Sequence, residues 1–280
     1  MSRKIRTLLL SATETLAPCS ESARLDAELL LCHILDKPRS YLFSRPEQEL
    51  TGAQAHAFTQ LLQRRQQGEP MAYLTGEREF WSLMLKVNTA TLIPRPETEQ
   101  LVEQTLLHIP MHQAWQVADL GTGSGAIALA IAHERPDCVI TAVDQSAAAL
   151  QVARDNADRL GMKNIIFLQG DWLQGLPPDF DIIVANPPYI RADDPHLQQS
   201  GLPYEPRTAL VAENNGMAAI EHICQQTQQH LKTGGWLLME HGYDQGAGVR
   251  ACLQHYGYHD IETFKDLSGN DRVTQAQINE

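Results

Sequence analysis

The chain has 280 residues, of which 43% are hydrophobic and 20% are charged, a composition typical of a globular protein and not of a disordered segment. No run of about 18 apolar residues, the length that a membrane helix needs, occurs in it, so we predict a cytoplasmic protein without membrane contact. With 22 Lys and Arg against 34 Asp and Glu, the formal net charge is 22 − 34 = −12.

The charge is distributed unevenly along the chain. Residues 1–80 contain 10 basic and 10 acidic side chains, whereas residues 81–280 contain 12 basic and 24 acidic ones and carry the entire net charge of 12 − 24 = −12. Nucleic-acid binding depends on Lys and Arg side chains that neutralise phosphates. The surplus of acidic side chains therefore opposes nucleic acid as a direct partner.

The cysteine spacing does not favour a metal centre or a disulfide framework. No two cysteines have the C-x-x-C spacing that is typical of zinc and redox motifs. The five lie far apart, at Cys19, Cys32, Cys138, Cys224 and Cys252. We therefore predict reduced thiols and no bound metal.

Residues 1–75 have the periodicity of short helices. Leucine and isoleucine recur at intervals of three and four residues between Leu8 and Leu35. Prolines and a glycine divide the pattern into about four helices, and Thr51 is a suitable N-cap for one of them. Because the segment carries no chemical motif, we predict a helical domain over residues 1–75 that packs or docks a partner.

The periodicity changes to two residues in the next segment. Trp81, Leu83, Leu85 and Val87 alternate with serine, methionine, lysine and asparagine, a pattern that predicts a strand. The sequence Asn-Thr-Ala at 88–90 predicts the turn that would return it. We therefore predict a β-hairpin linker over residues 76–93.

From residue 94 the pattern alternates between helix and strand, which is typical of an open α/β sheet. Strands are predicted at residues 116–120, 139–143, 165–169, 181–185 and 236–240, and near 260–265 and 272–277. Helices are predicted at 97–108, 124–134, 146–160 and 216–231. We therefore predict a Rossmann-like, mostly parallel sheet of seven strands over residues 94–280, with ligand-binding loops after the strands along one edge.

A glycine-rich loop joins the first of these strands to a helix. It reads Asp119-Leu-Gly121-Thr122-Gly123-Ser124-Gly125. Glycines let the backbone turn sharply against a ligand whose polar groups face the amides of the helix N-terminus. Asp144 ends the next strand, where its carboxylate can accept the ribose hydroxyls of an adenosine-containing ligand. The loop also satisfies the dinucleotide-binding fingerprint, so the ligand class stays open at this point.

Asp171 and Trp172 follow the third strand of this series. An aspartate beside an aromatic ring can hold an adenine by its exocyclic amine and by one face of the base. The same two residues would also occur if the tryptophan belonged to the core and the aspartate to a turn. The pair therefore supports a nucleoside-binding site but does not identify the ligand.

The most specific feature is Asn186-Pro187-Pro188-Tyr189, directly after the fourth strand. Two prolines make the segment stiff and extended and remove two N–H donors. It therefore offers two acceptors, the Asn186 carboxamide oxygen and the Pro187 carbonyl. These suit a planar –NH2 group on which the Tyr189 ring can stack, as in an amide or an aromatic amine.

The glycine loop together with Asn-Pro-Pro-Tyr resembles the class I S-adenosylmethionine-dependent methyltransferases that modify planar nitrogens. Within them, the chain is similar to the bacterial release factor glutamine methyltransferases (PrmC/HemK family) over nearly its whole length. The segments that carry this likeness are the helical N-terminal module, Thr91-Leu-Ile-Pro-Arg-Pro-Glu-Thr-Glu99, Tyr204-Glu205-Pro-Arg-Thr-Ala-Leu210 and Leu238-Met-Glu-His-Gly242.

This resemblance implies the chemistry and the site. The donor would be S-adenosyl-L-methionine, with S-adenosyl-L-homocysteine as product, and the acceptor the Gly-Gly-Gln glutamine of peptide-chain release factors 1 and 2. Residues implied to bind the cofactor are Gly121, Thr122, Gly123, Ser124, Gly125, Asp144, Asp171, Trp172 and Asn186. Asn186, Pro187, Pro188 and Tyr189 would hold the glutamine amide, and Asn186, Pro187 and Tyr189 would be catalytic.

Other functions are compatible with parts of the sequence. A methyltransferase for a glutamine of ribosomal protein L3 has a similar layout, and DNA or RNA amino-methyltransferases share Asn-Pro-Pro-Tyr. A dehydrogenase would account for the glycine loop but would give Asn-Pro-Pro-Tyr no role. A degenerate domain would bind a nucleotide or a protein without catalysing a reaction. His241 and Glu205 are candidates for a general base, although a structural role is favoured for each. We predict a monomer.

Overall fold

The computed structural model describes residues 3–199 and 201–278. Its contacts divide the chain into two compact units. The first extends to Glu77 and includes the segment 198–204, and the second holds Arg78–Leu197 and the chain from Glu205 onward. Among the described residues, no helix has the length and apolar character needed to cross a membrane.

The first unit is a bundle of short helices. Its helices are α1 (Ile5–Leu16), α2 (Ala23–Leu35), α3 (Arg39–Ser44), α4 (Gly52–Gln66) and α5 (Met71–Thr75). The N-cap that was predicted at Thr51 is confirmed, since its side chain accepts from Gln54 N while the Gln54 side chain accepts from Thr51 N. Leucines and Phe58 form the core of the bundle, which therefore has its own hydrophobic centre.

The hairpin is present, but its turn was predicted at the wrong place. Strands β1 (Glu77–Phe80) and β2 (Leu83–Lys86) pair across Trp81 and Ser82, not across 88–90. Both turn residues have left-handed backbone angles, with φ of 52° and 59°, although neither is of the Asn-Gly type that such turns favour. Tertiary contacts stabilise the turn, because Trp81 N and Nε1 donate to Glu99 and Glu134 at 2.9 Å.

A seven-stranded sheet forms the centre of the second unit, as predicted. Its strands are β3 (Gln116–Leu120), β4 (Val139–Asp144), β5 (Ile165–Gln169), β6 (Phe180–Ala185), β7 (Leu231–Glu240), β8 (His259–Lys265) and β9 (Asp271–Gln277). The order is β5-β4-β3-β6-β7-β9-β8. The first five strands are parallel, and β9 runs antiparallel to both of its neighbours.

Helices cover both faces of the sheet. They are α6 (Glu99–His108), α7 (Ala126–Glu134), α8 (Ala147–Leu160), α9 (Ala218–Thr227) and α10 (Gly246–His255). Along β6, Ile182 and Val184 belong to the hydrophobic cluster that contains α7, whereas Ile183 and Ala185 belong to the cluster that contains α9 and α10. Residues 182–185 of β6 are apolar and buried on both faces, which is why this strand was recognisable in the sequence.

Two predictions for the C-terminal half were wrong in detail. The predicted helix 216–231 ends at Thr227, whose buried hydroxyl donates to Ile223 O, and β7 begins five residues earlier than predicted. Helix α10 was not predicted, because Gly246 and Gly248 weaken the helical pattern. It forms because Val249 and Leu253, four residues apart, are fully buried.

Candidate active site

A cavity of about 290 Å³ opens at the edge of the sheet where the parallel strands β3, β4, β5 and β6 end. Seven of the twelve residues that the sequence assigned to the site line this cavity, namely Gly121, Gly123, Asp144, Asp171, Trp172, Asn186 and Pro188. The other five lie beside them in the chain without lining it, namely Thr122, Ser124, Gly125, Pro187 and Tyr189.

The glycine loop after β3 has a backbone that only glycine adopts without strain. Gly121, Gly123 and Gly125 have φ of 73°, 57° and 86°. A Cβ atom on Gly121 would lie 3.5 Å from the Trp172 ring, and one on Gly125 would lie 3.0 Å from the Leu129 side chain. Gly121 therefore keeps the space beside the tryptophan open, and Gly125 allows close packing at the start of α7.

Asp144 ends β4 and faces the cavity with its carboxylate held by backbone amides. Its Oδ2 accepts from Gly123 N at 2.9 Å, and its Oδ1 accepts from Ser146 N at 2.8 Å. Each carboxylate oxygen retains a further lone pair. The side chain is therefore both oriented and able to accept two hydroxyl groups from a ligand.

Asp119 is a buried acidic residue directly beneath the glycine loop. Its Oδ2 accepts from Thr122 Oγ1 at 2.6 Å and from Ala128 N at 3.2 Å, whereas its Oδ1 has no hydrogen-bond partner among the described residues. The pKa of Asp119 is raised from 3.8 to about 7, because burial and, to a smaller extent, the charge of Asp144 outweigh the lowering effect of the two hydrogen bonds.

The Asp119→Asn substitution is expected to stabilise the protein increasingly as the pH rises from about 4 to 7. Between the unfolded pKa of 3.8 and the folded pKa of about 7, the folded wild type retains a proton that the unfolded chain releases. Wild-type stability therefore falls with rising pH, by at most about 1.4 kcal/mol per pH unit, and asparagine removes this loss. Urea unfolding of both proteins at pH 5 and pH 7 measures the difference, and a difference that is the same at both pH values would contradict the prediction.

The loop after β6 is fixed at three points. Asn186 Nδ2 donates to Thr98 Oγ1 at 3.2 Å, and the Tyr189 hydroxyl donates to Glu240 Oε1 at 3.1 Å. Gln245 Nε2 donates to the Tyr189 carbonyl at 3.1 Å. A Cβ atom on Gly216 would lie within 2.2 Å of that carbonyl oxygen, so this glycine is required for the approach of the two segments.

The half-buried Tyr189 and the buried Glu240 form a polar pair next to the cavity-lining residues Asn186 and Pro188. Burial raises the pKa of Tyr189, and the neighbouring Glu240 raises it further, so the phenol stays protonated and donates. Burial also raises the pKa of Glu240, against the lowering effects of the Thr98 hydroxyl, the Arg272 guanidinium and the Tyr189 hydroxyl. Because its hydroxyl is bound here, the tyrosine ring is anchored beside the cavity wall.

The two candidates for a general base do not line the cavity. Both ring nitrogens of His241 are within hydrogen-bond distance of a partner, Gly242 O at 2.9 Å and Thr274 Oγ1 at 2.8 Å, and burial lowers its pKa. The buried Glu205 pairs with Arg95 and accepts from Ile93 N at 3.0 Å. These contacts stabilise the surrounding loops.

Sequence reasoning did not assign Thr98, Asp119 and Glu240 to the site, although each lies in a segment that supported the family resemblance. Asp119 and Glu240 stand near the ends of strands whose preceding residues are buried and apolar. A carboxylate is rarely buried without a partner or a role. An acidic residue at the end of an apolar strand is visible in the sequence and could have pointed to both residues. Thr98 carried no such signal.

Comparison with solved structures identifies the fold. A methyltransferase from Pyrococcus furiosus is 18% identical and superimposes with a TM-score of 0.54, over 71% of this chain and 90% of that chain. The methyltransferase domain family model matches residues 111–269, and the PrmC N-terminal domain model matches residues 7–76. The second unit is therefore a class I methyltransferase, as the motifs predicted.

Comparison with curated sequences identifies the family. The release factor glutamine methyltransferase of Salmonella typhimurium is 53% identical over 256 residues, which cover 91% of this chain and 92% of that protein. That of Vibrio cholerae is 50% identical over 280 residues, which cover 99% and 98%. The chain belongs to the family of release factor glutamine methyltransferases, which confirms the resemblance seen in its motifs.

Proposed function

We propose that this protein transfers a methyl group from S-adenosyl-L-methionine to the side-chain amide nitrogen (N5) of the glutamine in the Gly-Gly-Gln motif of peptide-chain release factors 1 and 2. The observation that carries the proposal is a single cavity lined both by the glycine loop with Asp144 and by the Asn186 carboxamide. Such a cavity brings a nucleoside-binding half and an amide-binding half together.

The donor half fits S-adenosylmethionine. The positive φ angles of Gly121 and Gly123 let the backbone approach a ligand closely, and the absence of a Cβ atom on Gly121 leaves room beside the Trp172 ring. Asp144 would accept the ribose hydroxyls, and Asp171 would accept from the adenine amine. When bound, S-adenosylmethionine supplies an electrophilic methyl group on its sulfonium, and S-adenosyl-L-homocysteine is the product.

The acceptor half fits an amide. An amide nitrogen is a poor nucleophile because its lone pair is delocalised into the carbonyl. Asn186 Oδ1 and the Pro187 carbonyl would each accept one hydrogen of the –NH2 group, which raises the electron density on nitrogen and orients it, while Pro188 and Tyr189 would complete the binding segment. Positioning and electrostatics then contribute most of the rate.

The proton needs no dedicated base in this scheme. Once the nitrogen carries the new methyl group it is strongly acidic, so the proton leaves after methyl transfer. His241 and Glu205 are engaged by other partners, which supports a mechanism without either of them.

The helical unit would dock the protein substrate. The unit has its own core, and none of its described residues lines the cavity, which supports a docking role and not a catalytic one. The acidic catalytic unit does not favour nucleic acid as the partner. We propose release factors 1 and 2 as protein partners of a cytoplasmic, monomeric enzyme.

Labelled S-adenosylmethionine tests the function directly. Purified release factors 1 and 2, ribosomal protein L3 and duplex DNA would be incubated in parallel, each protein also with its target glutamine changed. We expect label on the release factors alone, lost with the glutamine of Gly-Gly-Gln. Label on L3 or on DNA would replace the proposed substrate, and no label with the donor bound would refute it.

A further inference from the structure

The side-chain amide of Gln245 joins the turn after β7 to the Asn186–Tyr189 segment. Gln245 is the half-buried N-cap residue of α10. Its Oε1 accepts from Gly242 N at 2.8 Å, and its Nε2 donates to the Tyr189 carbonyl at 3.1 Å and to the Asn215 carbonyl at 3.4 Å. One side chain therefore connects three loop segments.

The partners of Gln245 are all backbone groups, so they fix the orientation of its amide. A backbone N–H can only donate, and a backbone carbonyl can only accept. The amide oxygen must therefore face Gly242 N, and the amide nitrogen must face the two carbonyls. The reversed orientation would place two acceptors against each other at Tyr189 and two donors against each other at Gly242.

The turn at residues 214–216 encloses the Tyr189 carbonyl from a second side. Its three consecutive residues have left-handed backbone angles, with φ of 51°, 55° and 84°. This bend brings Gly216 so close that a Cβ atom there would overlap with the Tyr189 carbonyl oxygen and with Gln245 Nε2. The peptide unit after Tyr189 is therefore held between the glutamine amide and the Gly216 backbone.

The Asn186–Tyr189 segment is thereby fixed at both of its ends. Ala185, before it, is paired with both neighbouring strands of the sheet. Ile190, after it, donates its N–H to Leu210 O at 2.9 Å, and the glutamine amide holds the carbonyl of the residue between them. Two prolines leave the segment little freedom of its own, so the position of its ends determines where its two acceptor oxygens point.

We propose that Gln245 is a positioning residue that keeps Asn186 Oδ1 and the Pro187 carbonyl directed at the amide to be methylated. It acts through the Tyr189 carbonyl, because Gln245 itself does not line the cavity. The inference rests on the proposed function, since those two acceptors have their task in the same reaction. Misplacing a reacting group by about 1 Å can cost about 100-fold in rate, so a weaker hold on this segment lowers kcat more than it lowers donor affinity.

Two substitutions at Gln245 separate the role of its donor from that of its acceptor. Gln245→Glu keeps an oxygen that accepts from Gly242 N and removes the hydrogen donated to the Tyr189 carbonyl, whereas Gln245→Met keeps the length and removes both. At saturating S-adenosylmethionine and release factor, we expect kcat to fall about 10-fold or more in both variants. The affinity for S-adenosylhomocysteine should stay within about 3-fold of the wild-type value in both.

Gln254→Glu is the matched control, because Gln254 is an exposed glutamine on the same helix, and it should leave kcat unchanged. Melting curves accompany each measurement, and a carboxylate at the N-cap of α10 is compatible with the helix dipole. If Gln245→Glu does not fold, Gln245→Met decides the question by the same comparison of kcat with the affinity for S-adenosylhomocysteine.

The outcomes distinguish this inference from the proposed function. If wild-type enzyme does not label the release factor glutamine, the proposed function itself fails and the inference falls with it. If wild-type enzyme labels it but Gln245→Glu retains the wild-type kcat, the glutamine only supports the turn at Gly242, and its positioning role is overturned. A parallel loss of kcat, S-adenosylhomocysteine binding and melting temperature would also overturn it.

Discussion

Replacing Asn186 with alanine is expected to slow methyl transfer to the release factor glutamine by a factor of about 10²–10³, the effect of removing one positioned hydrogen-bond partner of a transition state. The carboxamide lines the cavity and is held by Thr98 at 3.2 Å. Its oxygen therefore needs little reorganisation during the reaction, and no neighbouring acceptor side chain of the segment can replace it, since two prolines follow.

Single-turnover labelling at saturating S-adenosylmethionine measures this loss free of product release and of any change in donor affinity. Asn270→Ala is the matched control, because Asn270 is an exposed asparagine in the turn between β8 and β9 and should leave the rate unchanged. An Asn186→Ala enzyme that melts like wild type and reacts within about 3-fold of its rate would remove Asn186 from the mechanism.

Replacing Asp144 with alanine is expected to weaken the binding of S-adenosylhomocysteine by about 10- to 100-fold. The expected loss corresponds to hydrogen bonds with a charged partner, about 1.5–3 kcal/mol. The carboxylate is oriented by Gly123 N and Ser146 N and retains a lone pair on each oxygen for the ribose hydroxyls. Asp144→Asn, which keeps one acceptor oxygen, should lose less affinity than Asp144→Ala.

Calorimetric titration with S-adenosylhomocysteine measures these affinities. Asp155→Ala is the control, since Asp155 is exposed on α8 and pairs with Gln151. The alanine variant also leaves two backbone amides without their acceptor, so a melting curve must accompany each titration. Unchanged affinity in a folded Asp144→Ala protein would show that this carboxylate does not hold the ribose.

Secondary structure was predictable where a short run rich in apolar residues is bounded by turn residues. Strands β3 to β6 are apolar runs bounded by turns, and their predicted limits agree with the structure to within one residue. The hairpin turn was misplaced because Trp81 and Ser82 carry no turn signal of their own, and Trp81 is held by Glu99 and Glu134, which are distant in the sequence. The N-terminal half of β7 was missed for a similar reason, since Leu231 pairs with Phe180 across an irregular register.

The candidate site was predictable in part. Asp144, Trp172 and Asn186 were assigned from short motifs and line one cavity, because parallel strands bring their following loops to one edge. Tyr189 was predicted to stack on the substrate, yet it does not line the cavity and its hydroxyl donates to Glu240. Its stacking role therefore stays a prediction.

The sequence by itself determined the family, the class I methyltransferase fold and the two loops that line the cavity, because each of these depends on residues that are contiguous or regularly spaced. Only the tertiary structure decided how the site is held. Asn186 is hydrogen-bonded to Thr98, 88 residues away in the sequence, and Tyr189 to Glu240, 51 residues away. Burial also raises the pKa of Asp119. Hydrogen-bond partners and pKa values depend on which groups the fold packs together and shields from water, and neither is encoded in any local pattern.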